Sequence, residues 1–253
     1  MKAPSEQPIL LITGAGRGIG AATALLAASQ GYAVVVNFLH DAAAADGVVA
    51  NIREAGGQAI VVQGDVSKVK DVRRIFDEAE AGLGPVDFLV NNAGITGGLG
   101  PFAAVRPEAL EAVLDTNVLG VMFCAQEALR RWQASGTRGV IVNVSSGAAQ
   151  TGSPGEYVHY AASKAAVDAF TVGLGREVAP QGIRVCGVAP GMTLTDIHAA
   201  AGEPDRPARV APRIPLRRLA APEEIAEAIV WLLSPAASYV TATTLQCSGG
   251  LTS

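Results

Sequence analysis

Tyr160 and Lys164 stand four residues apart, and they are the clearest place where this sequence could do chemistry. On a helix that spacing puts both side chains on one face. An ammonium beside a phenol favours the phenolate, pulling its pKa down from roughly 10. A phenol tuned that way can protonate a developing alkoxide, or deprotonate an alcohol, near neutral pH. The same spacing also suits an ordinary amphipathic surface, so the pair alone leaves both readings open. Ser145 and Ser146 precede it after an apolar run, but no GxSxG elbow surrounds them, which argues against a serine hydrolase. Asn117 lies inside a long helical pattern, where asparagine is unfavourable by propensity.

A second constellation lies near the start, where Thr13-Gly14-Ala15-Gly16-Arg17-Gly18-Ile19-Gly20 directly follows the apolar run Ile9–Ile12. Phosphate oxygens need convergent N–H donors and a backbone they can approach, and a glycine-rich turn opening a helix supplies both. It is not a Walker loop, since no lysine followed by Ser or Thr comes after the glycines. It also departs from strict GxGxxG, with Ile19 where the last glycine would fall. By glycine spacing alone it is a phosphate loop or merely a tight turn. Asp65 reads equally as a helix-cap or loop acid, and Asn92 as a turn former.

The elements that must hold these groups follow from hydrophobic period. Ile9–Ile12, Ala33–Val36, Ala59–Val62, Phe88–Val90, Val140–Val144, Arg184–Val188 and Thr243–Cys247 read as strands, mostly Val/Ile-rich without polar alternation. Strands buried on both faces look like that. Gly18–Gln30, Asp41–Glu54, Lys70–Ala81, Pro107–Gln133, Tyr157–Val178 and Pro222–Leu233 read as helices. Gly31 and Gly56 are placed to end helices, Ser67 to cap one, and Pro107 and Pro222 to open the first turns of two more. The expected fold is α/β: one doubly wound, Rossmann-like parallel sheet of about seven strands flanked by helices, with residues 1–253 forming a single domain. Its ligand crevice should lie at the carboxyl ends of the strands. The proline- and arginine-rich stretch 192–218 is either a loop or a lid over that crevice.

Composition narrows the rest. With 19 Lys+Arg against 23 Asp+Glu, the net charge of −4 gives no global footprint for nucleic acid. Cys124, Cys186 and Cys247 form no CxxC pair and read as thiols in a reducing compartment. His40, His159 and His198 do not converge in the sequence, so no metal site is expected. No secretory signal or membrane span is visible, and a cytoplasmic protein without membrane partners is the expectation.

The ordered motifs make the chain resemble the short-chain dehydrogenase/reductase superfamily. Thr13 to Gly20 resembles its TGxxxGxG fingerprint, and Tyr160-Ala161-Ala162-Ser163-Lys164 its YxxxK signature. Between and after them come Asp65-Val66, Asn91-Asn92-Ala93-Gly94, and Pro190-Gly191 with Thr195 completing PGxxxT. The likeness runs from about Ile9 to Gly250, and is close to that of 3-oxoacyl-carrier-protein reductases and sugar dehydrogenases. It implies a catalytic set of Asn117, Ser146, Tyr160 and Lys164, with Ser146 orienting the reacting oxygen and Asn117 distorting its helix. It also implies that Gly14, Gly16, Arg17, Gly18 and Ile19 hold cofactor phosphates. Asp65 and Val66 would meet the adenine. Asn92, Ala93 and Gly94 would line the cofactor, Pro190, Gly191 and Thr195 would meet the nicotinamide end, and Lys164 and Tyr160 its ribose.

The implied cofactor is a nicotinamide dinucleotide. An acid at the end of the second strand typically binds the adenosine ribose of NAD, and Asn37 is read as that position here. With Arg17 in the glycine loop, this favours NADP(H), with NAD(H) the alternative. His40 is an additional candidate, read more readily as a surface histidine.

Thirteen residues separate Ser146 from Tyr160, one more than many members carry. Thr241-Ala242-Thr243 has alanine where relatives usually have glycine, and Gln246-Cys247-Ser248-Gly249-Gly250 replaces a VDGG-like ending. The resulting expectation is an oxidoreductase for a carbonyl or secondary alcohol. The alternatives are an NAD-dependent sugar or alcohol dehydrogenase and a non-catalytic cofactor-binding regulator. Resemblance and the apolar character of 107–133 and 157–178, with Val167, Phe170 and Leu174 facing a partner, imply a homotetramer.

Overall fold

Seven runs pair into one sheet, the inner ones because they are apolar on both faces, while the last, Thr243–Cys247, is partly exposed at the edge. Its strands are β1 (Ile9–Ile12), β2 (Ala33–Phe38), β3 (Ala59–Gln63), β4 (Phe88–Asn91), β5 (Val140–Val144), β6 (Arg184–Pro190) and β7 (Thr243–Cys247). All pairings are parallel, in the order β3-β2-β1-β4-β5-β6-β7. The computed structural model describes residues 7–195 and 209–252. Among them, no helix is long and apolar enough to cross a membrane, and no cluster of three metal-ligating side chains occurs.

The helices are α1 (Gly18–Ser29), α2 (Ala42–Glu54), α3 (Val69–Gly82), α4 (Pro107–Leu114), α5 (Gly120–Ser135), the short α6 (Ala148–Thr151), α7 (Val158–Val178) and α8 (Pro222–Leu233). Side chains alternate across the sheet, dividing the core in two. Leu10, Ile12, Val36, Val142 and Val188 pack with α1, α2 and α8. Leu11, Val35, Leu89, Ile141 and Val185 pack with α3, α5 and the end of α7. Each large side chain so buried contributes roughly 1.5–3 kcal/mol against exposure, which is what fixes strand register.

Several local expectations are met. Gly31 and Gly56 follow α1 and α2 with φ of +92° and +84°, conformations that other residues adopt at a cost. Pro107 and Pro222 open their helices, and Glu224 accepts the Ala221 N–H at 2.9 Å. Others need correction. Ser67 does not cap α3: Lys68 occupies that position, while the Ser67 N–H donates to the Asp65 carboxylate at 2.9 Å. The helix expected over 107–133 is broken by a π turn at Asp115–Leu119. Val167 is buried within the chain rather than facing a partner, and Phe170 and Leu174 pack partly against its core. Ala242, the alanine in place of glycine, sits at φ +57°, a strained conformation for a residue with a Cβ.

The expected lid at 192–218 is described only at its ends, since 196–208, with His198 and Arg206, lie outside the described residues. Those ends are joined, with Ala220 N–H donating to the Met192 carbonyl and Leu194 N–H to the Ala220 carbonyl, both at 2.9 Å. Met192, Val210, Ile214 and Leu219 then form a small core of their own. Three arginines here have partners: Arg209 with Glu156, Arg218 with Glu224, and Arg217 with the Pro212 carbonyl.

Candidate active site and cofactor crevice

The strand order reverses between β1 and β4, where chains lead away to opposite sides and leave a crevice at the carboxyl ends. The glycine loop leaves β1 at this point and is fastened to the segment after β4. Asn92 Nδ2 donates to the carbonyls of Thr13 at 3.0 Å and Gly14 at 2.9 Å. Thr13 Oγ1 in turn accepts the N–H groups of Asn92 and Ala93 at 3.0 and 3.1 Å. Gly14 has φ +63°, and a Cβ there would lie 2.9 Å from Ala93 Cα. At Gly20 a Cβ would lie 2.5 Å from Asn92 Nδ2, so this last glycine lets α1 seat against the loop. Thr13 and Gly20 were legible in the motif but not assigned roles from it.

The loop suits a pyrophosphate. Arg17, the residue before α1, makes no side-chain cap, and the first turn carries no acid, so protein groups do not consume the helix's leading donors. Gly14, Gly16, Gly18 and Ile19 line this turn, and the Arg17 side chain is exposed beside it. A Cβ on Gly18 would lie 3.3 Å from Thr195 Cγ2. The far end of the PGxxxT segment therefore closes onto the glycine loop. Pro190 and Gly191 leave β6 held by Gly147 N–H to the Pro190 carbonyl at 2.8 Å and Gly191 N–H to the Cys247 carbonyl at 2.9 Å.

Asn37 is not where the sequence reading needs it. β2 continues to Phe38, and Asn37 turns inward, only 2% exposed. Its Nδ2 donates to the carbonyls of Val62 at 3.2 Å and Gly64 at 3.1 Å, while its Oδ1 accepts from Gly14 N–H at 3.4 Å. Both amide hydrogens are thus engaged within the protein, and none is left for a ribose phosphate. The strand end presents Phe38, Leu39 and His40 instead, the last two exposed and none of them acidic. Asp65 is half-buried with Oδ1 on the Ser67 N–H, and Val66 is buried under Gly120, where a Cβ would meet Val66 Cγ2 at 2.9 Å.

The four candidate catalytic residues converge from three elements. Lys164, on α7, is 3% exposed and donates from Nζ to the Val144 carbonyl at 2.8 Å. Its Nζ lies 5.7 Å from the centroid of the Tyr160 ring. Burial pushes the ammonium down from 10.5 to about 8, while the Asp168 carboxylate pulls the other way. Tyr160 meets Tyr157 edge-on, centroids 5.2 Å apart, in a cluster with Ala148, Ala161 and Leu99. The two serines differ in their surroundings. Ser145 is buried with its hydroxyl on the Lys164 carbonyl at 3.2 Å. Ser146 is half-buried, and its Oγ accepts the Ala148 N–H at 3.1 Å, with no acceptor for its hydroxyl hydrogen among the described residues.

Asn117 occupies the π turn and is fully buried. Its amide bonds both sides of Ile95, Oδ1 accepting from N–H and Nδ2 donating to the carbonyl, each at 2.9 Å. Nδ2 also donates to Ser163 Oγ at 3.0 Å. A Cβ on Gly94 would lie 3.2 Å from Asn117 Oδ1 and 3.4 Å from Lys164 Nζ, so the absence of a side chain there lets the two groups approach. Ser163 has a supporting place in this site that the sequence reading did not assign.

The chain resembles known proteins over nearly its whole length. The family model described as "Enoyl-(Acyl carrier protein) reductase" matches residues 14–252. The chain is 48% identical over 244 residues to the oxidoreductase YgfF of Escherichia coli (strain K12), covering 96% of this chain and 99% of that one. It is 39% identical to a 3-oxoacyl-[acyl-carrier-protein] reductase of Synechocystis sp., covering 96% of each. A short-chain type dehydrogenase/reductase from Mycobacterium marinum overlays with a TM-score of 0.91 at 35% identity, over 96% of this chain and 95% of that one. A 3-ketoacyl-(acyl-carrier-protein) reductase from Brucella melitensis, solved with NADH, gives 0.88 at 34% identity, over 96% and 98%.

Proposed function

This chain belongs to the short-chain dehydrogenase/reductase superfamily, as an NAD(P)-dependent oxidoreductase for a small carbonyl or alcohol, and from that premise we propose that it prefers NADP(H) and works through Asn117, Ser146, Tyr160 and Lys164. The observation that carries the mechanism is the buried Lys164 ammonium held 5.7 Å from the Tyr160 ring centroid. When bound, the nicotinamide supplies hydride to the carbonyl carbon, or takes it from the alcohol carbon. Ser146 and Tyr160 hold the substrate oxygen where negative charge develops. Tyr160 gives that oxygen its proton, and Lys164 stabilises the phenolate left behind. In alcohol oxidation the same proton returns to Tyr160. Asn117 keeps Ile95 and Gly94 in place beside Lys164.

In this reading the glycine loop at 14–19 holds the pyrophosphate, Asp65 and Val66 the adenine, and Asn92, Ala93 and Gly94 the body of the dinucleotide. Pro190, Gly191 and Thr195 take the nicotinamide end, with Lys164 and Tyr160 at its ribose. The NADP(H) preference is supported by the exposed Arg17 guanidinium and by a strand end without a carboxylate at Phe38–His40. Asn37 has no direct part in it.

A homotetramer is supported by two separate apolar surfaces. Leu114, Leu119 and Val158 are at least 40% exposed around the π turn and α7. Trp231, Tyr239 and Leu245 are exposed on α8, on β7 and in the segment between them, and among the described residues the outer edge of β7 has no neighbouring strand. Light scattering at micromolar concentration should give four chains; a monomer contradicts this.

The experiment for the activity is NADPH and NADH oxidation by the purified protein over a panel of ketones, aldehydes, sugars, 3-oxoacyl thioesters and enoyl thioesters. Turnover of a carbonyl supports the proposal. Cofactor binding without any turnover would favour the non-catalytic regulator.

A further inference from the structure

The substrate-side loop after Gly94 is held by very few bonds. At its start Asn117 fixes Ile95, and at its end Gly100 N–H donates to the Glu156 carbonyl at 2.7 Å. Between these lie Gly97 and Gly98, with φ of +75° and +96°, so the intervening chain is rich in backbone freedom. Its outer flank borders a cleft of about 130 Å³ lined also by Val105, Arg106 and Ala109. Among the described residues, one side chain hydrogen-bonds the stretch from Thr96 to Leu99. That side chain is His159, immediately before Tyr160 on α7 and 7% exposed, with Nε2 2.8 Å from the Thr96 carbonyl oxygen.

A carbonyl oxygen can only accept, so His159 Nε2 carries the hydrogen, and Nδ1 is buried without a partner among the described residues. The bond to Thr96 is therefore the polar contact that the imidazole makes. Steric fit supports the same docking. A Cβ on Gly97 would lie 2.9 Å from His159 Nε2 and 2.6 Å from Val113 Cγ2, so the bend sits tightly between α4 and α7. Two residues on, Leu99 packs against the small apolar cluster that contains Tyr157 and Tyr160. A shift at Thr96–Gly97 is thus carried to the wall beside the Tyr160 ring.

We propose that His159 is a positioning residue for the substrate, clamping the Thr96–Gly97 bend to the turn of helix that bears Tyr160 and so setting KM for the carbonyl rather than cofactor affinity. The proposal rests on the oxidoreductase reading above, and its test separates the two. His159→Leu removes the donor. His159→Gln restores an N–H near the position of Nε2, whereas His159→Asn is too short to reach it.

Hydrogen exchange of a peptide covering residues 95–100 should quicken at least 10-fold in His159→Leu and return towards wild type in His159→Gln. With any carbonyl accepted by the wild type, KM should rise about 10-fold in His159→Leu, with Kd for NADPH within twofold, and should recover in His159→Gln. If His159→Leu does not fold, the contrast between Gln and Asn carries the same test. Unchanged loop exchange, unchanged KM, or equal behaviour of Gln and Asn overturns the proposal. If no carbonyl is turned over, the activity reading fails, and the exchange result alone then decides whether His159 holds the loop.

Discussion

Lys164 Nζ lies 5.7 Å from the centroid of the Tyr160 ring while donating to the Val144 carbonyl, so the ammonium is pinned at the end of β5 before any ligand arrives. A flexible lysine would need to be ordered at the moment of reaction. Here strand β5 and helix α7 order it in advance, at the cost of burying a charge.

That cost gives a pH signature. The folded-state pKa of about 8 lies below the ordinary 10.5, so between those values the unfolded chain binds more protons than the folded one. Stability contributed by this group therefore rises with pH across that window, and the full penalty is present below about 8. Urea unfolding of wild type and Lys164→Met at pH 7.5 and pH 10 should show the wild type gaining on the variant by on the order of 2 kcal/mol. Burial raises the Cys124 thiol to about 12 and acts in the opposite sense, but it is common to both proteins and cancels. A difference that does not change with pH would contradict the buried ammonium.

Asn37→Asp tests the inward-facing asparagine. The substitution puts a carboxylate against the Val62 and Gly64 carbonyls, which now accept from Nδ2 at 3.2 and 3.1 Å. Removing both donors in a buried site should destabilise by about 2–4 kcal/mol. The order of preference between NADPH and NADH should stay as in wild type. A variant of wild-type stability that switches to NADH would return Asn37 to the ribose site.

The misplacement of Asn37 shows where sequence reading stopped. Apolar runs located the strands, apart from the partly exposed β7 with its Thr243, Thr244 and Gln246, because burial on two faces leaves few polar residues in the middle. They did not locate strand ends, since the ladder continues through Asn37↔Val62 and Phe38↔Gln63 after the apolar run has ended. With side chains alternating, the difference of one residue decides which one faces the crevice. The π turn at Asp115–Leu119 was likewise hidden, because the segment is apolar on more than one face and a one-residue shift of the stripe does not stand out there. Only resemblance singled out Asn117 as a distortion. The motif points to Ser146 rather than Ser145, whereas the Ser145 hydroxyl turned to the Lys164 carbonyl is a tertiary contact that no motif shows.

Arg17→Ala addresses cofactor choice. The guanidinium is exposed next to the glycine loop, and Phe38, Leu39 and His40 at the strand end carry no carboxylate. Steady-state kinetics on one accepted carbonyl should show higher kcat/KM with NADPH than with NADH in the wild type. The substitution should lower the NADPH value about 10-fold, the scale of one charge-assisted contact, and leave NADH within about threefold. Equal losses with both cofactors would place Arg17 at the shared pyrophosphate instead.

The central claim is that Tyr160 transfers the proton that accompanies hydride transfer. Its most direct test is single-turnover reduction of an accepted carbonyl by NADPH in wild type and Tyr160→Phe, with cofactor Kd measured on the same preparations. Phenylalanine keeps the edge-on contact with Tyr157 and removes only the hydroxyl. The account predicts a hydride-transfer rate at least 100-fold lower, on the scale of general acid catalysis, with cofactor Kd within about twofold. A single-turnover rate in Tyr160→Phe equal to that of the wild type would contradict it.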